Sequence, residues 1–248
     1  MHNPLDILVF AAHPDDAELF SGGALILATD KGLRVAVADL SAGELSSRGT
    51  PELRQQEIKV ASQLLGLTDR LCVGLPDGQI GSDPAHREPI IQLIRQSKPR
   101  IVLAPYWHDR HPDHEAASKL VKEACFFAGV SKIGHGEPHR PQALYYYMSH
   151  YPFSPSFVVD ISSVWERKIA AVIAYKSQFQ YDGRGVETAL SRPDFMRFIE
   201  ARAIYFGAMI GAAYGEAFYT PAPLPLFDFP PPTGQLSSRG QVPAYRIY

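Results

Sequence analysis

Apolar positions along the chain fall into two alternating kinds of stretch. Residues 5–11 form a short apolar run that ends in a polar turn, which predicts a buried strand. Over residues 17–31, Leu19, Leu25, Ile26 and Leu27 recur at helical spacing, and Gly32 supplies the stop. Gly22 and Gly23 inside this pattern cost helix stability, so they point to close packing. The alternation continues with a strand over 34–40, a polar loop over 41–50 and a helix over 51–65. That helix has Thr50 as N-cap, Pro51 in its first turn and Gly66 as its stop. Residues 70–73 read as a strand, 75–78 as a turn, 86–96 as a helix and 100–104 as a strand. A helix over 112–127, ending at Gly129, completes the series.

Strands and helices in this order predict an α/β fold: a Rossmann-like, doubly wound, mostly parallel sheet with helices on both faces. In the commonest order of such sheets the first and fourth strands are neighbours. Ligands bind beyond their carboxyl ends, where the connections leave in opposite directions. The second half is less regular. Residues 131–142 read as a loop, 143–148 and 157–160 as strands, and 162–175 and 194–213 as helices, with Pro193 helping to start the last. Residues 221–248 are dense in proline and lack periodicity. The expected organisation is one domain over 1–220, comprising the sheet and a C-terminal α/β extension. A proline-rich tail over 221–248 follows, packed on its own body or on a neighbouring subunit.

Composition narrows the functional classes. The 248 residues are 46% hydrophobic and 20% charged, enough for a full core. A net charge of −2 without a basic cluster predicts no nucleic-acid partner and no attraction to an anionic membrane. No apolar run is long enough to span a bilayer and no leader pattern opens the chain, so the expected location is the cytoplasm. Cys72 and Cys125 lie in apolar surroundings outside any C-x-x-C pair, and both are expected to be buried reduced thiols.

The chemistry concentrates in two polar stretches. His13-Pro14-Asp15-Asp16 follows the first predicted strand and His111-Pro112-Asp113-His114 the fourth. Alone, each is a capped turn at a helix start. After two buried strands expected to be neighbours, they predict one shared site. A hydrolytic metal site needs about three protein ligands and one open position for water. Imidazole and carboxylate suit zinc, with ferrous iron or manganese as alternatives. The candidates are His13, Asp15, Asp16, His111, Asp113 and His114. Adjacent Asp15 and Asp16 project differently, so one can hold metal while the other faces the water; spacing does not assign which. His2, His86, His108 and His150 read as surface or turn residues. Bridging carboxylates for a two-metal phosphatase are lacking near these strands.

These motifs carry a resemblance. Residues 12–18 together with 111–114 resemble the zinc-dependent de-N-acetylases of the PIG-L/LmbE-like family. Residues 45–50, Arg54, 109–114, 145–148, 175–179 and 214–218 look closest to its bacillithiol-biosynthesis branch, which deacetylates N-acetylglucosaminyl malate. The similarity spans roughly residues 5–220. The resemblance implies His13, Asp16 and His114 as zinc ligands and Asp15 as general base. It implies that His111 stabilises the oxyanion and donates a proton, and that Asp113 orients it. It also matches Arg54 to a substrate-contacting arginine and makes Arg140 a candidate for another; a guanidinium suits the malate carboxylates bidentately. It further implies a small acetylated amino sugar as substrate, acetate as product, and a homo-oligomer such as a hexamer. Pro14, Phe195 and the absence of an arginine after Asp77 depart from that branch and leave the acyl-sugar open. A mycothiol precursor, a chitooligosaccharide or an antibiotic glycoside is the alternative substrate. A metal-stabilised sugar-binding protein without turnover is the rival of another class, and it would have no need of Asp15.

Overall fold

The computed structural model describes residues 4–81, 83–181, 183 and 186–224. Its strands are β1 (Ile7–Ala11), β2 (Val35–Asp39), β3 (Asp69–Cys72), β4 (Ile101–Pro105), β5 (Ala143–Tyr147), β6 (Phe157–Asp160) and β7 (Gly215–Tyr219). They form one sheet in the order β3-β2-β1-β4-β5-β7-β6. The first five run parallel; β7 pairs antiparallel with both β5 and β6. The helices are α1 (Asp16–Asp30), α2 (Pro51–Leu65), α3 (Pro84–Ser97), α4 (Pro112–Ala128), α5 (Trp165–Ile173), α6 (Lys176–Phe179) and α7 (Pro193–Ile210). The doubly wound α/β class expected from the sequence is the one observed.

The strands alternate between two cores. Val9 and Ala11 of β1 face the layer of α1, α2 and α5, whereas Leu8 and Phe10 face α3 and α4. A strand buried on both faces is mostly apolar, which is why β1 and residues 35–38 of β2 read as unbroken runs. Thr50 caps α2 by accepting from the Leu53 N–H, and Gly66 ends it in the left-handed conformation at φ 71°. Gly23 is required by packing: a Cβ there would lie 2.7 Å from Ile161.

Three expectations change. β7 does not stand out as a strand in the sequence, where it figures only in a family motif, because Glu216 interrupts its apolar pattern. That carboxylate accepts from the backbone N–H of Gly23 and Ala24 in α1 and pairs with Lys168 at 2.5 Å. Cys125 is buried but Cys72 is exposed, because β3 is an edge strand of the sheet. The helix expected over 162–175 is a 3₁₀ turn, Ser162–Val164, followed by α5. His2 and the tail beyond residue 224 lie outside the described residues.

Candidate metal centre and active site

Because β1 and β4 are adjacent and parallel, the two polar stretches leave the sheet side by side at its carboxyl edge. Asp16 opens α1 and sits between two imidazoles. Its Oδ2 lies 3.5 Å from His13 Nδ1 and accepts from the His13 backbone N–H at 2.9 Å. Its Oδ1 lies 3.3 Å from His114 Nε2. One ring nitrogen each from His13, His111 and His114 lies within 4.8 Å of the others. His114 is 2% exposed, and its Nδ1 has no hydrogen-bond partner among the described residues. Two imidazoles and a carboxylate, with a third imidazole beside them, fit a divalent ion by donor type and by convergence.

Asp15 points elsewhere because its backbone does. Its φ is 108°, the left-handed region that few side chains other than Gly, Asn and Asp tolerate. Arg54 of α2 donates from Nη1 to Asp15 Oδ2 at 3.2 Å and to the Pro14 carbonyl at 3.0 Å, fixing the turn. Burial pushes the Asp15 carboxyl up to about 7, against the pull of Arg54. The adjacent Asp16 goes the other way: burial opposes its charge, but His114 and then His13 hold it well below the usual carboxylate range.

The imidazoles divide similarly. Burial opposes a charge on His13, yet Asp16 and Asp77 outweigh it and push the ring up to about 11. His114 is raised to about 9, burial being outweighed by Asp16 and Asp109. His111 is lowered, first by burial and then by the charges of His114 and His13. Its Nδ1 accepts from the Asp113 backbone N–H at 3.2 Å, which places the proton of the neutral ring on Nε2.

Asp113 differs from its expected part. Its hydrogen bond to His111 comes from the backbone N–H, and its carboxylate is turned to His13. Oδ2 lies 3.1 Å from His13 Nε2 and accepts from the Gly78 N–H at 2.8 Å. The first turn of α4 aims the side chain across the site, while its amide caps back onto His111. Arg140 is not brought to the others. It lies against the carboxyl end of α4, donating to the Phe126 carbonyl at 3.3 Å, whereas the site is at that helix's amino end. A helix of 17 residues separates them by about 25 Å.

Three polar residues join the site that the sequence reading leaves in turns or passes over. Asp77, in the turn after β3, places Oδ1 3.1 Å from His13 Nε2, and His13 holds its pKa down at about 2. Asp109 is 6% exposed and sits between His111, His114 and His150. His150, a surface or turn residue by its sequence context, stacks on His114 with ring centroids 5.2 Å apart. Nothing in the spacing of these residues marks them; they are assembled by loops that leave the sheet after β3, β4 and β5. Behind the site, Arg70 of β3 binds Asp39 through Nε at 2.8 Å and Nη2 at 2.9 Å and also pairs with Glu18, which accepts from Tyr175 OH.

Comparison with known proteins places the chain among relatives. The PIG-L family profile, described as GlcNAc-PI de-N-acetylase, matches residues 8–125, which contain both polar stretches. Diacetylchitobiose deacetylase of Thermococcus kodakarensis is 31% identical over 226 residues, covering 85% of this chain and 80% of the relative. The chain belongs to the PIG-L family. A probable N-acetyl-alpha-D-glucosaminyl L-malate deacetylase 2 of Bacillus cereus is 28% identical over 187 residues, covering 69% of this PIG-L chain and 83% of the relative. The solved structure of a conserved protein of Thermus thermophilus superposes with a TM-score of 0.84 at 41% identity, covering 91% of this chain and 99% of that one. Among the described residues, no helix of this PIG-L chain is long and apolar enough to cross a membrane.

Proposed function

We propose that this chain is a zinc-dependent hydrolase that removes the acetyl group from an N-acetylglucosamine conjugate. One observation carries the reading: a base-like carboxylate, a ligand-like carboxylate and three imidazoles converge at the β1/β4 carboxyl edge in a member of a de-N-acetylase family. His13, Asp16 and His114 would hold the ion. When bound, zinc supplies Lewis acidity toward the acetamide oxygen and makes a water easier to deprotonate. Asp15 takes the proton of the attacking water. His111 presents its Nε2 proton to the oxyanion that develops on the acetamide oxygen. Asp15, pushed up to about 7, then returns the proton to the departing amine. Arg54 keeps Asp15 turned away from Asp16, and Asp113 and Asp77 hold His13 from its far nitrogen.

The aglycone separates two readings. A neutral second sugar is favoured by the relative named for diacetylchitobiose and by the engagement of Arg54, whose Nη1 serves Pro14 and Asp15. An acidic aglycone such as malate is favoured by Arg110, exposed and next to His111. An assay for released amine on diacetylchitobiose, N-acetylglucosaminyl malate and a mycothiol precursor, with and without chelator, tests both. Turnover should vanish with chelator and return with zinc; undiminished turnover in the stripped protein would remove the metal from the reaction. Arg110→Ala should raise KM for the malate conjugate only.

A further inference from the structure

The loop after β5 reaches the metal centre through one carboxylate. His150 binds Asp109 twice: its backbone N–H donates to Oδ2 at 2.7 Å, and its Nδ1 lies 2.9 Å from Oδ1. The same Oδ1 accepts the His111 backbone N–H at 2.8 Å and lies 3.3 Å from His114 Nδ1. Asp109 therefore touches both histidines of the second polar stretch, and His150 holds it from the opposite side. The ring of His150 is fixed in turn. It lies 21° from parallel to His114 and meets the Phe20 ring edge-on with centroids 5.5 Å apart. Its neighbour Ser149 gives its carbonyl to Arg202 of α7. Arg202 also lies 5.2 Å from the centre of the Phe20 ring.

A histidine binding a metal through one ring nitrogen needs the other proton held by an acceptor, which sets the tautomer and aims the ring. His114 faces Asp16 with Nε2, so Nδ1 must carry that proton. It is buried without a hydrogen bond among the described residues, and Asp109 Oδ1 is the carboxylate oxygen beside it at 3.3 Å. We infer that His150 is a positioning residue: it holds Asp109 in the orientation that aims His114 at the ion, and Arg202 ties that clamp to α7. This rests on the reading of His114 as a ligand.

Zinc affinity of the full chain, stripped and titrated against a chromophoric chelator, tests the inference without any substrate. His150→Ala should bind zinc roughly 10- to 100-fold more weakly, the size of effect expected when a partner behind a ligand is removed. His150→Asn, which keeps a side-chain N–H for Asp109, should recover most of that loss. Cobalt(II) loaded in place of zinc should show shifted visible bands in His150→Ala and near-native bands in His150→Asn, a difference that general loosening of the fold would not produce. If His150→Ala does not fold, Asp109→Asn carries the same expected loss. Wild-type affinity and an unchanged cobalt spectrum in either His150→Ala or Asp109→Asn would overturn the positioning role. A wild-type chain that takes up neither zinc nor cobalt would instead overturn the ligand reading beneath it.

Discussion

The two polar stretches that close the site handle charge in opposite ways. Residues 13–18 hold one imidazole and three carboxylates, restrained by cations from distant elements: Arg54 of α2 on Asp15 and Arg70 of β3 on Glu18. Residues 109–114 hold two imidazoles and two carboxylates, and there carboxylates restrain the rings. The first stretch turns through a strained residue, Asp15 at φ 108°; the second enters α4 through the ordinary extended conformation of His111 at φ −92°. Yet each stretch sorts its groups the same way. Asp15 and His111 are pushed toward their neutral forms, whereas Asp16 and His114 are pushed toward their charged ones. Neighbours of one chemical type driven apart by their environments mark the division between groups that work in their neutral form and groups that hold charge.

The division is broken most completely from the charge-holding side. His114→Ala should abolish zinc uptake, and activity with it, because it removes a proposed ligand and leaves Asp16 without its chief counter-charge. Elemental analysis of the dialysed variant checks this; a full equivalent of zinc would remove His114 from the ligand set. On the other side, Asp15→Asn should keep the ion and lose activity by about 10²–10⁴-fold, the range for loss of a general base. Zinc content and kcat measured on the same sample distinguish the two. If Asp15→Asn also lost its zinc, the two adjacent carboxylates would share one role and the sorting would fail.

The sequence makes some of this legible and hides the rest for physical reasons. Buried parallel strands are apolar on both faces, so β1, β2 and β4 stand out, and sheet topology joins the polar stretches after β1 and β4 into one site. Which of Asp15 and Asp16 faces the imidazoles depends on a single positive φ and on an arginine 39 residues away, neither visible as a pattern. Asp77 and His150 reach the site from loops whose ends are brought together by the sheet, so local spacing carries no trace of them. The resemblance implies Asp113 as the residue that orients His111, but the first turn of α4 sends its carboxylate to His13. β7 escapes the apolar pattern because its Glu216 is polar in a place where the α1 amides and Lys168 make burial of a carboxylate acceptable.

His111→Ala sharpens the comparison within the second stretch. The variant should retain zinc and lose roughly 10²–10³-fold in kcat, as when one oxyanion donor is removed, with little change in KM. Since the ring is lowered and bears its proton on Nε2, His111→Gln should recover part of the loss by offering a neutral N–H. A glutamine variant no better than alanine would mean that the ring transfers a proton instead of donating a hydrogen bond.

The smallest effect is graded by pH. Without an ion, His13 holds its proton up to about 11 and His114 up to about 9. Both values lie above the ordinary 6.5, so through the range from about pH 6 to 8 both rings remain protonated in the ion-free chain. An ion that takes His13 Nδ1 and His114 Nε2 must displace those protons, and each displaced proton makes affinity rise by about tenfold per pH unit. Zinc affinity should therefore strengthen as pH rises, by roughly one to two decades per unit, with the slope shallowing above about pH 9 once His114 is neutral before binding. His114→Ala cannot report this slope, but Asp77→Asn can. It removes a carboxylate that raises His13, so the ring should release its proton at lower pH and the affinity curve should move toward acid. Affinity flat from about pH 6 to 8 in the wild type would mean that these ring nitrogens are not where the ion binds. An unmoved curve in Asp77→Asn would leave Asp16 and Asp113 as the carboxylates that matter to His13.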